Sequence, residues 1–145
     1  LRIIRELIEF KPKSNKTDVS QALKFLSGTQ KKKAIVFLIS DFISGDYEHT
    51  LKIASKKHDI TGIRVYDIRE EKMPNLGMVP MLDAESGEVQ LINTGSKQVR
   101  LDYEKYYHEK VNYFKETFSK CGAGAVNTRV DESYVTKLLG YFKSR

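Results

Sequence analysis

The chain has 145 residues, 40% hydrophobic and 30% charged, with a formal net charge of +6 and an isoelectric point near 9.3. That balance suits one globular domain, and it holds neither the roughly 18 apolar residues in a row that a membrane span needs nor a signal-peptide series. A single cysteine, Cys121, excludes an internal disulfide framework and a cysteine-rich zinc site, so a reducing, cytoplasmic setting is expected.

Leu1, Ile4, Leu7 and Ile8 recur at helical spacing and predict an amphipathic helix ending near Phe10, ahead of Lys11-Pro12. The pattern begins at Leu1 without an initiator methionine, so a piece of a longer chain is expected. After the polar loop KPKSNKT, Thr17 or Asp18 caps a second helix carrying Val19, Ala22, Leu23 and Leu26, with Gly28 as its stop. Lys31-Lys32-Lys33 follow. Elsewhere lysines neighbour acids, as in Glu104-Lys105 and Glu109-Lys110, so the run reads as a solvated loop and no nucleic-acid partner is expected.

The run 34–39 in AIVFLISDF is apolar at every position, the pattern of a central parallel strand covered on both faces. It ends on Ser40 and Asp41 and turns through Ile43-Ser44-Gly45. Tyr47 to Lys57 predicts a helix, DITGIRVYD (59–67) a second buried strand, and the apolar pieces around Ser86-Gly87 a β-hairpin within 73–93. Lys97 to Cys121 is the longest predicted helix, with Tyr103, Tyr106, Tyr107 and Tyr113 expected in core and interface packing. GAGAVNTR gives a third strand after Gly122. The last helix is expected over 131–143, capped by Asp131 and burying Tyr134, Val135, Leu138, Leu139 and Phe142. Strands alternating with helices imply an α/β layered fold with a mainly parallel sheet.

Ligands of open parallel sheets sit outside the carboxyl ends of the strands. Asp41 and Asp67 both close predicted strands at that edge, and Thr17 opens a helix there. Thr17, Ser40, Asp41 and Ser44 form a set of hard oxygen donors suited to Mg²⁺ or Mn²⁺. An alternative use is a metal-dependent hydrolase in which Asp41 and Asp67 hold the ion and His58 or His108 acts as base. Against it, surface positions are expected for His49, His58 and His108, and His58 precedes its strand at the end away from Asp41. Cys121 reads as a packed structural thiol.

The segments TDVSQAL, AIVFLISDFIS, ASKKHDITGIRVYDIREEKMPNLGMVPMLDAESGE and DESYVTKLLGYF, in this order, resemble the C-terminal part of the bacterial family called domain of unknown function 58. Members of that family carry a von Willebrand factor A-like domain. The resemblance implies a three-layer Rossmann-like partial domain over 1–145, with an added β-hairpin and with its first strands upstream of Leu1. It also implies a metal-ion-dependent adhesion site, in which Thr17 matches the Thr position and Asp41 the Asp position, with Ser40 and Ser44 behind them. The Asp-x-Ser-x-Ser loop of that site has no counterpart here, since DVSQA (18–22) follows a polar loop and carries Ala22 at its third ligand position. The resemblance therefore implies a protein-binding module, not an enzyme, working with a MoxR-type AAA+ ATPase. Mg²⁺ or Mn²⁺ would be held by the full-length protein and none by these 145 residues. It also leaves strand 34–40 as an apolar edge, where copies of the chain are expected to pair.

Overall fold

The computed structural model describes residues 2–11, 17–82 and 87–144. Three strands pair in parallel in the order β1 (Ile35–Ser40), β2 (Asp59–Tyr66), β5 (Gly124–Arg129). The remaining elements are α1 (Arg2–Glu9), α2 (Val19–Thr29), α3 (Glu48–Ser55), the hairpin strands β3 (Met78–Leu82) and β4 (Val89–Asn93), α4 (Lys97–Lys120) and α5 (Tyr134–Lys143). The architecture is a Rossmann-like α/β fold with a mainly parallel sheet and an added antiparallel hairpin. The tip of that hairpin, including Ser86, lies outside the described residues.

One face of the sheet is a packed core. Successive side chains of a strand point to opposite faces, so Val36 and Leu38 of β1 and Ile60 of β2 meet Val19, Leu23, Leu51, Phe114 and Phe118 from α2, α3 and α4. Gly62 is required there by close approach: a Cβ would lie 2.5 Å from one ring atom of Phe118 and 2.9 Å from Phe114. The opposite face receives α5, whose Tyr141 hydroxyl is 3.2 Å from Thr61 Oγ1 and whose Phe142 ring meets Phe37 edge-on at 6.0 Å.

Several expectations are corrected. The apolar run is not the central, doubly covered strand that its composition suggests but the edge strand that the family resemblance implied; its outward residues Ile35, Phe37 and Ile39 are 70%, 47% and 69% exposed. Continuous hydrophobicity reports a strand that has apolar faces to cover, and does not report whether neighbours cover them. For the same reason α5 buries no residue fully: Tyr134, Val135, Leu139 and Phe142 are exposed and Leu138 half-buried. The cap of α5 is Ser133, whose hydroxyl accepts from Thr136 N, because the Asp131 carboxylate is taken by Arg129 at 2.6 Å. Helix α2 runs through Gly28 to Thr29, and Asp18, not Thr17, accepts from Gln21 N as its cap. Of the four tyrosines on α4, Tyr107 is buried, Tyr103 and Tyr113 are half-buried and Tyr106 is exposed.

The turn before α3 is fastened to α4 by Tyr113. Its hydroxyl donates to Asp46 Oδ1 at 2.5 Å and accepts from Tyr47 N and Glu48 N, both at 3.2 Å. The Tyr113 hydroxyl and the Glu48 amide hold the Asp46 carboxyl below its ordinary value of 3.8. Arg129 does the same for Asp131, and Lys137 for Glu132. A depressed carboxyl stabilises the fold fully above its unfolded-state pKa and loses that contribution as pH falls through the folded value. Melting temperature should therefore drop on acidification below about pH 4. Tyr113→Phe, which lets Asp46 return toward 3.8 and leaves the Tyr47 and Glu48 amides without this acceptor, should lower the melting temperature at pH 6 by more than it does near pH 2. Parallel melting curves across that window would contradict it.

Candidate functional site

At the carboxyl edge, β1 ends at Ser40 and the chain reverses through Phe42, which has a left-handed φ of 58°. A non-glycine residue holds that conformation only when its surroundings enforce it. Here Phe42 is buried against Phe114 at 4.4 Å and Phe118 at 5.3 Å. Burying the phenylalanine keeps its neighbours at the edge. Asp41 Oδ1 accepts from Ile43 N at 3.1 Å and from Ser40 Oγ at 3.2 Å, while Ser40 Oγ accepts from Phe42 N. The strand thus finishes on a carboxylate that closes its own turn.

A second loop joins this one through Ser44. Its buried hydroxyl donates to the Thr17 carbonyl at 3.2 Å and accepts from Val19 N at 3.4 Å. Thr17, Asp18 and Ser40 consequently line one cleft of about 180 Å³, floored by Val19, Leu38 and Phe42. The Ser44 bridge brings the Thr17 backbone and the Ser40–Asp41 turn to one edge of the sheet. Both serine hydroxyls are spent on fixing the loops.

Asp67 is not drawn into this group. Its Oδ1 accepts from Arg69 N and caps the short helical turn Ile68–Glu70. Register places Ser40 opposite Arg64, so Asp67 lies two residues beyond the level of Asp41. His58 stands before the first residue of β2, about 26 Å from its far end at ~3.3 Å per residue. The expected surface position for His58 is wrong: it is 2% exposed, and neither ring nitrogen has a hydrogen-bond partner among the described residues. Burial follows from the α3 end, where His58 N bonds to the Ala54 carbonyl. His49 and His108 are exposed as expected. Cys121 is half-buried with its thiol 3.8 Å from the Glu48 carbonyl, and burial pushes its pKa up.

Two groupings were not anticipated. Glu71, Glu104 and His108 present ligand atoms within 4.8 Å of one another on the exposed side of α4, with Lys72 also on Glu104 at 3.9 Å. The second is Arg64, a buried cation inside the otherwise apolar DITGIRVYD; its Nε donates to the Asp41 carbonyl at 3.2 Å. A charged residue amid a buried strand was the signal that could have found it.

The family model for "Protein of unknown function DUF58" matches residues 1–113. The chain belongs to this family. An uncharacterized protein of Mycobacterium avium is 26% identical over 129 residues, covering 88% of this chain and 76% of that protein. An uncharacterized protein of Mycobacterium tuberculosis is 24% identical over 135 residues, covering 92% of this chain and 42% of its own length. The same figures hold for an uncharacterized protein of Mycobacterium bovis, so the chain spans under half of these two longer relatives. No solved structure matches. Among the described residues, no helix is long and apolar enough to cross a membrane.

Proposed function

We propose that this DUF58 chain is a protein-binding module of the von Willebrand factor A-like kind. Its carboxyl edge would supply Thr17 and Asp41 to a divalent-cation site that further loops of a longer protein complete. The observation that supports this most is the Ser44 bridge, which holds the 17–18 and 40–44 loops together beside a mainly apolar cleft rimmed by Thr17, Asp18 and Ser40. Two such ligands are few for an ion that prefers octahedral oxygen coordination. The donor set fits Mg²⁺ or Mn²⁺ in kind and would need additional ligands in number. When bound, the ion would keep a coordination position open to a partner's acidic side chain. In this chain Ser40 orients the Asp41 carboxylate, Ser44 fixes the Thr17 loop, and buried Phe42 holds the reversal rigid. The partner implied by the resemblance is a MoxR-type AAA+ ATPase. No observation favours the hydrolase alternative, in which Asp41 and Asp67 would share an ion.

The test is a Mn²⁺ titration by calorimetry on a chain of the mycobacterial relatives' length, with the 145 residues as control. Asp41→Asn keeps an oxygen to accept from Ile43 N but removes the charge, so it should leave folding unchanged and weaken Mn²⁺ at least tenfold. Asp41→Ala should in addition cost about 1 kcal/mol of stability, because the turn loses its acceptor. Undiminished Mn²⁺ affinity in Asp41→Asn would sink the ligation role and leave Asp41 as a turn cap.

A further inference from the structure

Arg64 is 3% exposed on the face of β2 turned to α4. Its Nε donates to the Asp41 carbonyl, one terminal nitrogen donates to the Tyr107 hydroxyl at 2.7 Å, and the other to Asn127 Oδ1 at 3.5 Å. All three acceptors are neutral. Among the described residues no carboxylate forms an ion pair with it. A guanidinium offers five N–H donors, so one on each terminal nitrogen has no acceptor among the described residues. Burying a charge is costly unless it is paired and fully hydrogen-bonded, and the described residues meet neither condition.

The guanidinium borders a cleft of about 240 Å³, lined also by Tyr66, Tyr107, Val111, Lys115 and Asn127. Glu71 and His108 complete the lining and face each other at 3.7 Å. Lys115 is exposed and pairs with no acid among the described residues. Among the lining's arginine, lysine and carboxylate groups, Arg64 and Lys115 against Glu71 leave one net positive charge. The Tyr66 ring lies 4.4 Å over the guanidinium, so an acceptor must approach in the plane of the fork, the geometry that two carboxylate oxygens match.

The geometry points to a binding site for a carboxylate monoanion, anchored by Arg64 and flanked by Lys115 and the Asn127 amide. A doubly charged phosphate fits less well, because Glu71 shares the cleft. The volume equals about eight waters at ~30 Å³ each, room for a small organic acid or one acidic side chain of a protein and not for a nucleotide. The site adjoins the Asp41 turn but needs no metal.

The experiment is a ¹⁵N–¹H NMR titration of the Arg64 Nε–H and the Asn127 side-chain amide at constant ionic strength. Sodium benzoate is the free-acid probe and an acetylated, amidated Gly-Asp-Gly peptide the side-chain probe, with sodium chloride as control. Saturable shifts at both groups are expected, with affinity at least tenfold weaker in Lys115→Glu, an exposed change that spares the fold. Arg64→Lys should abolish saturation. Response to benzoate alone assigns a free small acid, response to the peptide alone assigns a partner's acidic side chain, and response to both leaves the carboxylate as the shared determinant. No saturation with either probe, shifts equalled by chloride, or unchanged affinity in Lys115→Glu would overturn the proposal.

Discussion

Phe118→Ala should remove about 3–5 kcal/mol of stability, the cost of deleting a fully buried aromatic and leaving a cavity. Phe118 is 0% exposed and packs on Phe114 at 4.7 Å, Phe42 at 5.3 Å and Tyr47 at 6.2 Å. Its ring also fills the space that Gly62 leaves over the central strand. Loss of that ring would loosen the enforced left-handed turn at Phe42, and with it the Asp41 edge. Urea unfolding measures the effect, and a cost below about 1 kcal/mol would mean that the ring stack does not anchor the sheet. Gly62→Ala supplies the internal control. Alone it forces a Cβ into the Phe118 ring and should cost about 1–3 kcal/mol. In the Phe118→Ala background the 2.5 Å clash is gone and the 2.9 Å approach to Phe114 remains, so the second substitution should cost clearly less than it does alone. The coupling between the two sites would then report their contact directly.

Self-association is the second large effect expected. Strand β1 pairs with β2 on one side, and it exposes Ile35, Phe37 and Ile39 beside the exposed Leu139 and Phe142 of α5. An apolar edge strand with unpaired backbone groups templates another strand, and a second copy of the chain carries the same edge. Sedimentation velocity should show mass rising with concentration. Ile39→Lys places a charge on that face, so it should hold the chain monomeric while changing stability by no more than about 0.5 kcal/mol, as exposed substitutions usually do. A chain that stays monomeric at every concentration would refute pairing through β1.

The legible parts of the fold were those set by near neighbours in the chain. The apolar runs 34–39 and 59–66 became strands, and the helical periodicity of 97–121 became α4 almost to the residue. The position of Asp41 was legible for a similar reason: a carboxylate ending an apolar run marks a strand leaving the sheet, and parallel topology puts that exit at the edge where ligands of such sheets sit. Errors arose where two local solutions competed. Asp131 and Ser133 are both good caps, and the choice fell to Ser133 because Arg129 claims Asp131.

The sequence by itself determined the α/β order, and its motif segments carried the resemblance to the family. The order depends on periodicity, turn chemistry and strand direction, which act over a few residues. Only the tertiary structure decided which faces are covered. It exposed β1 and α5, enclosed His58, and set Arg64 against the Asp41 carbonyl, Tyr107 and Asn127. Those four residues come from two strands, the turn after a third and one helix, and the charge at their centre has a meaning only once the sheet register and α4 bring its neighbours within hydrogen-bond distance.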